Sequence, residues 1–147
     1  MTQADGIRLI GDFTSTLATS RAARGMAFGL HQNGRAVDLV QSAPRGNRTD
    51  AATIAAARAL SRPVESQVAV YFDGLGLDWP DPSRHVMQIR QADVDRSPAS
   101  WTSGWQLAQR AIVPAQSSFD AMVRSGIEEA RLRICPFGVH PEAWVNP

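Results

Sequence analysis

The chain has 147 residues, enough for one domain with a substantial buried core. Its composition, 44% hydrophobic and 20% charged, excludes a disordered chain, and its single cysteine excludes an internal disulfide. All 15 basic residues are arginine and the net charge is +1, which lacks the basic excess expected of a nucleic-acid-binding protein.

Two further features of the sequence bear on its setting. No apolar run is long enough to cross a membrane, and the first residues lack the basic start and apolar stretch of a signal peptide. We therefore expect a cytoplasmic protein without a transmembrane segment. Residues 1–62 carry eight arginines and four aspartates, whereas the remaining residues carry seven arginines and ten acids. We interpret most of these arginines as solvated surface residues.

The first part of the chain predicts a strand, a helix and a second strand. The apolar run Ile7–Phe13 is typical of a buried strand that opens into a loop. Ser20 is a candidate helix N-cap, and Asn33 with Gly34 is a typical helix end. Ala36–Gln41 predicts the next strand. The helix between them repeats apolar residues at the spacing of one buried face: Ala23, Met26, Ala27 and Leu30.

The same alternation continues to residue 135. Thr49 or Asp50 is placed to cap an alanine-rich helix that runs to about Leu60. A third helix is predicted between Pro98 and Gln109. A fourth begins at a Ser117 or Ser118 cap, ends at Gly126 and has an inner face of Phe119, Met122 and Val123. The remaining strands are predicted over Gln67–Asp73, His85–Arg90, Arg110–Ala115 and Arg131–Cys135, with Cys135 in the core.

This order of elements predicts a three-layer, Rossmann-like α/β domain over residues 1–147, with a mainly parallel sheet of about six or seven strands. In such sheets ligands bind outside the carboxyl ends of the strands. The loops at that edge are predicted at 12–19, 43–50, 74–82, 91–97, 115–118 and 136–140.

The stretch RAIVPAQSSFDAMVRSGIEEARLRICPFGVHPEAW (110–144) resembles the end of the N-terminal domain in GT-B-fold glycosyltransferases of the retaining, family-4 type. The family pattern runs strand, Val-Pro-Ser, a Phe-containing helix, Ser-Gly-Val/Ile, a second strand and Pro-x-Gly-Val-Asp-Pro-Glu-x-Phe. The chain departs from it with Ala115-Gln116, His140 and Trp144. The matching residues are Val113, Pro114, Ser117, Phe119, Ser125, Gly126, Ile127, Pro136, Gly138, Val139, Pro141 and Glu142.

The resemblance implies the acceptor-side half of a GT-B architecture. A nucleotide-sugar donor is then expected for the complete enzyme, bound by a C-terminal domain that this chain lacks, and no cofactor is expected on this chain. The three histidines and Cys135 do not have the spacing of metal ligands, so no metal site is expected either. The chain would be a fragment, a split enzyme or a gene relic, inactive in transfer by itself. Its partner would be the donor-binding domain, a separate subunit or a second copy. The inter-domain residues would be Phe137, Gly138, Val139, His140 and Trp144.

Within this interpretation, polar and aromatic residues in the predicted loops are candidates for substrate binding. Each has a plainer alternative, because polar loops are often solvated connections and tryptophans often fill cores. A non-catalytic α/β module that binds a small ligand or a partner protein is the competing function. The substrate-binding candidates are Asp12, Thr14, Ser15, Trp79, Arg90, Gln91, Asp93 and Ser117.

Overall fold

The computed structural model describes residues 6–44, 46–66, 68–72, 85–89, 95–96 and 108–136. Residues 97–107, which hold most of the helix predicted between Pro98 and Gln109, lie outside these ranges. In chain order the elements are β1 (Ile7–Gly11), α1 (Ala18–Gln32), β2 (Val37–Gln41), α2 (Ala51–Leu60), β3 (Val68–Phe72), β4 (His85–Ile89), β5 (Arg110–Val113), α3 (Gln116–Arg124), a 3-10 helix (Glu129–Arg131) and β6 (Leu132–Ile134).

The six described strands form one sheet in the order β2-β1-β3-β4-β5-β6. Every neighbouring pair is parallel, and Leu9 at the centre of β1 lies opposite Leu39 of β2 and Val70 of β3. The predicted parallel α/β sheet is therefore confirmed. The strand order reverses around β1, as it does in doubly wound sheets, where ligands bind at the carboxyl ends of the strands beside the reversal.

Helices cover both faces of the sheet. Ile112 of β5 packs against the cluster that contains Ala23 and Ala27 of α1. Its neighbours along the strand, Ala111 and Val113, pack instead with Met122 of α3. Because successive side chains of a strand point to opposite faces, α1 and α3 lie on opposite sides of the sheet. The structure is thus the predicted three-layer, Rossmann-like α/β fold.

Two glycines end helices as the sequence predicts. Gly34 has a φ of 75°, in the left-handed region that favours glycine, and its amide donates to His31 O. The next amide, of Arg35, donates to Leu30 O, which completes a Schellman motif at the end of α1. Gly126, with a φ of 89°, ends α3 with the same pattern of bonds.

The serine caps predicted for α1 and α3 are wrong. The N-cap of α1 is Leu17 and that of α3 is Ala115, and neither position has a side-chain capping bond. Ser20 and Ser118 lie inside the helices and are buried, because their hydroxyls face the protein interior. Ser117, in the first turn of α3, is exposed.

Cys135 is exposed, so its predicted place in the core is also wrong. The reason is the position of β6 at the edge of the described sheet. The last residue of that strand, Ile134, is itself 41% exposed. An apolar run at a sheet edge therefore does not guarantee burial of its final residues.

Candidate functional site

The carboxyl ends of β1 and β2 lead into two loops, whose described residues 12–17 and 46–50 are joined by backbone hydrogen bonds. The amide of Thr16 donates to Asn47 O at 2.8 Å, and the amide of Thr49 donates to Thr14 O at 2.8 Å. Ser15 and Arg48 form an isolated antiparallel bridge between these bonds. The two loops therefore form one continuous edge beside the point where the strand order reverses.

Asp12 organises the first loop through one carboxylate oxygen. Its Oδ1 accepts from the Thr14 amide at 2.9 Å, from Thr14 Oγ1 at 2.9 Å and from Gln41 Nε2 at 3.1 Å. The Gln41 amide oxygen accepts in turn from the Phe13 amide at 3.0 Å. Because Asp12 and Thr14 are each only 8% exposed, these bonds hold the loop in a single shape.

Ser15 is completely buried, and its hydroxyl is 2.7 Å from that of Ser20 in α1. The Ser15 Oγ also accepts from the Leu17 amide at 3.4 Å. Ser15 therefore connects the loop to the helix and is closed to a ligand in this conformation. A buried hydroxyl pair of this kind is stabilising because both groups are satisfied.

Arg24 is the residue of this site that sequence analysis did not identify. It is only 7% exposed, and its Nη1 donates to Phe13 O at 3.0 Å and to Ser15 O at 2.9 Å. Burial lowers the pKa of the Arg24 guanidinium, while the charge of Asp12 opposes that shift. Arg24 remains charged at neutral pH because a guanidinium does not lose its proton in proteins.

The structure brings together three of the predicted candidates, Asp12, Thr14 and Ser15. Ser117 lies at the same edge, but β3 and β4 separate its preceding strand from β1. The other predicted residues lie outside the described ranges, namely Trp79, Arg90, Gln91 and Asp93 among the loop candidates, and Phe137, Gly138, Val139, His140 and Trp144 among the inter-domain candidates.

A groove of about 750 Å³ runs along α2, and we call it the α2 groove. Its side chains are mostly small and apolar, with one arginine before the helix and one in its last turn. Both arginines are exposed, and within the described part of the chain neither guanidinium has a hydrogen bond or an ion pair. The lining residues are Arg48, Thr49, Ala51, Ile54, Ala55, Arg58 and Ala59.

Asp50, one of the two candidate caps that the sequence predicts, caps α2. Its carboxylate accepts from the Thr53 amide at 2.8 Å and from Thr53 Oγ1 at 2.7 Å. These hydrogen bonds lower the pKa of Asp50 from its ordinary value, because they stabilise the charged form. The carboxylate beside the α2 groove is therefore engaged by the helix itself.

The described residues contain no group of three or more histidine, cysteine, aspartate or glutamate side chains that could hold a metal ion. None of the helices in these ranges has both the length and the apolar composition needed to cross a membrane. Comparison of the chain with protein-family models, curated proteins and solved structures finds no match.

Proposed function

We propose that this chain is the acceptor-side domain of a glycosyltransferase that moves a hexose from a nucleotide-sugar to a glycan, lipid or other acceptor. The supporting observation is the unit formed by β5, α3 and β6. Val113-Pro114 ends a strand, Phe119 lies in the helix, and Ser125-Gly126-Ile127 leads towards a second strand. This is the order of elements that the resemblance implies, with Gly126 in the left-handed conformation that its place in the motif requires.

In this proposal the chain is one half of a GT-B architecture, and the acceptor binds at the carboxyl edge of the sheet. The described groups that solvent reaches there include Thr16 and Leu17 in the first loop, Asn47 and Arg48 in the second loop, and Ser117 in α3. The hydrogen bonds of the buried Asp12 and Arg24 hold the first loop in its shape. The leaving diphosphate of the donor is stabilised by the second domain. The chain itself contributes acceptor positioning, which lowers the entropic cost of reaction. The proposed setting is the cytoplasm, where the exposed thiol of Cys135 stays reduced.

One observation favours the alternative of a non-catalytic module that binds a small ligand or a protein. The polar groups of the first loop bond largely to one another, and Ser15 has no exposed surface. Such a loop presents a fixed surface to a ligand, whereas its own polar groups are already engaged and are not free to react. In this alternative, the carboxyl edge of the sheet and the α2 groove bind a partner, and the chain catalyses no reaction.

Titration of the isotope-labelled chain with hexoses, hexose phosphates and nucleotide-sugars, followed by amide NMR, separates the two functions. The transferase proposal predicts that an acceptor-type sugar shifts amide signals of residues 14–17 and 116–118. Ser117→Ala weakens this binding, while Gln32→Ala, which removes an exposed side chain from the other end of α1, does not. Because the proposal assigns the donor site to the second domain, it also predicts that the isolated chain releases no nucleotide from any nucleotide-sugar.

Either of two results would contradict the proposal. If no sugar at millimolar concentration shifts a signal at the carboxyl edge, the acceptor role fails and the non-catalytic module is favoured. If the isolated chain transfers sugar, the division of labour between two domains is wrong.

A further inference from the structure

Only two side chains of the first loop, residues 12–17, are exposed at the carboxyl edge of the sheet. The four residues before them are buried, and the polar side chains among those four have hydrogen bonds inside the protein. The exposed pair is Thr16, which has a hydroxyl, and Leu17, which is wholly apolar. The side-chain contacts that this loop offers to a ligand are therefore one polar and one apolar.

Leu17 occupies a position at which another kind of residue would serve the helix better. It is the N-cap of α1, where a serine, aspartate or asparagine side chain can accept from a free helix amide and a leucine cannot. Its φ and ψ, −59° and 150°, are close to the −62° and 154° of Asp50, which caps α2 through its side chain. The backbone therefore permits a capping residue at position 17. Departures from a local preference of this kind are expected where a functional site requires them.

The side chain of Leu17 is held in place between the two joined loops. It is 38% exposed, and it lies against Gly46 of the second loop. A Cβ atom on residue 46 would stand 2.8 Å from Leu17 Cγ, so the second loop comes this close because residue 46 is glycine. Leu17 thus presents a fixed apolar surface beside the point where the strand order reverses. A side chain fixed in advance loses little entropy when a ligand covers it.

We propose that Leu17 determines the specificity of the acceptor site by contacting an apolar group attached to the acceptor sugar. The inference rests on the proposed function, which places an acceptor at the carboxyl edge, and it narrows the acceptor to a hexose with an alkyl or aryl aglycone. Covering the exposed part of Leu17 with such a group favours binding through the hydrophobic effect, and a free sugar has no group that can do so. The hydroxyl of Thr16, the preceding residue, can hydrogen-bond the sugar itself.

Glycosides that differ only in the aglycone test this specificity. Methyl, phenyl and octyl glycosides of glucose, galactose and mannose are titrated into the labelled full chain, with the octyl compounds below their micelle concentration, and amide NMR gives each affinity. We expect the phenyl or the octyl glycoside to bind at least about fivefold more tightly than the methyl glycoside of the same hexose. Tighter binding of the octyl compound assigns the apolar group to an alkyl chain, as in a lipid, and tighter binding of the phenyl compound assigns it to an aromatic aglycone.

Variants of the chain locate the apolar contact. Leu17→Asn removes the apolar surface and supplies a capping side chain, and it should bind all three glycosides of a hexose within about twofold of one another. Leu17→Met, which stays apolar, should keep the preference. Val40→Thr is the matched control, because Val40 is 40% exposed but belongs to β2, and it should also keep the preference. Leu17→Ala repeats the test without a new polar group, and circular dichroism confirms that each variant is folded.

The possible failures of this inference and of the proposed function are distinct. Equal binding of the three glycosides by the parent would overturn the inference and leave the proposed function standing. A preference that persists in both Leu17→Asn and Leu17→Ala would place the apolar contact on another residue and would overturn the inference as well. If no glycoside shifts an amide signal at the carboxyl edge, the proposed function itself fails, and the inference fails with it.

Discussion

Two neighbouring regions of this molecule use arginine in opposite ways. In the loop after β1, Arg24 is buried and its guanidinium donates to the carbonyl oxygens of Phe13 and Ser15. Along α2, Arg48 and Arg58 are exposed and have no bonding partner within the described residues. Arginine therefore holds a loop in place in one region, and in the other its guanidinium group is exposed to solvent.

The difference shows how burial and bonding separate structural polar groups from solvated ones. A buried polar group whose bonds are all internal is costly to remove, because its partners lose their own bonds. An exposed and unpaired charge costs almost nothing to remove, because water already solvates it. Changes in stability therefore identify the first kind, and changes in binding identify the second.

The largest expected effect is that of Arg24→Ala. The change leaves Phe13 O and Ser15 O without their donor, and we expect the free energy of unfolding to fall by about 2–4 kcal/mol, since hydrogen bonds to charged groups are the stronger ones. Urea denaturation measures this loss. Arg21→Ala, one turn earlier and exposed, is the matched control, with an expected change below about 0.5 kcal/mol. Equal losses in the two variants would contradict a structural role for Arg24.

A smaller effect is expected from the hydroxyl pair that joins the first loop to α1. Ser20→Ala removes the 2.7 Å contact with Ser15 and should lower the free energy of unfolding by about 1 kcal/mol. Ser15→Ala and the double variant complete a thermodynamic cycle. The two changes should be coupled by about 0.5 kcal/mol or more, because each group is the other's partner. Strict additivity would mean that the contact does not contribute to stability.

Asp50 offers a comparison that depends on pH. Its pKa in the folded chain is lowered by the bonds from Thr53, so the capping charge stabilises the protein above the ordinary pKa of an aspartate. This contribution is lost as pH falls through the lowered pKa. Asp50→Ala should therefore be less stable than the parent at pH 7, with a gap that narrows in acid.

The control for this cap is Asp50→Asn, which keeps a capping oxygen and has no charge to titrate. Its stability relative to Asp50→Ala should not change over the same acidic range. Melting temperatures of the three proteins between neutral and acidic pH provide the measurement. If the difference in melting temperature between the parent and Asp50→Ala stays constant down to the lowest pH, the charge of Asp50 does not contribute to stability.

The smallest effect on stability is expected from the double substitution Arg48→Ala, Arg58→Ala. Because both guanidinium groups are solvated, urea denaturation should detect a change below about 0.5 kcal/mol. A loss similar to that of Arg24→Ala would remove the contrast between the two regions and would make the α2 arginines part of the architecture.

Much of the fold follows from short-range pattern. The pattern of apolar residues locates the six described strands and the three α-helices, but it does not predict the 3-10 helix Glu129–Arg131. Gly34 and Gly126 mark helix ends because glycine adopts the left-handed conformation of the helix-ending motif without strain. The cap at Asp50 is equally local, since its partner Thr53 is three residues away. These features depend on neighbours in sequence, which the sequence displays directly.

The site was harder to predict because it depends on contacts between distant residues. The sequence position of Ser20 resembles that of a helix cap, but its hydroxyl contacts the hydroxyl of Ser15 in the preceding loop. Arg24 resembles a surface residue. Its spacing of four from Ser20 and three from Ala27 was the available signal that it shares the buried face. The bonds that join residues 14–16 to residues 47–49 have no local signature at all.

Amide hydrogen exchange at the joined loops tests most directly the claim that Arg24 is architectural and the α2 arginines are not. The reporters are the amides of Thr16 and Thr49, which bond across the two loops to Asn47 O and Thr14 O. In Arg24→Ala we predict that both exchange at least about tenfold faster than in the parent, because the loops open locally. In the double variant at Arg48 and Arg58 both rates should stay unchanged. Protection that survives in Arg24→Ala, or is lost in the double variant, would contradict the account.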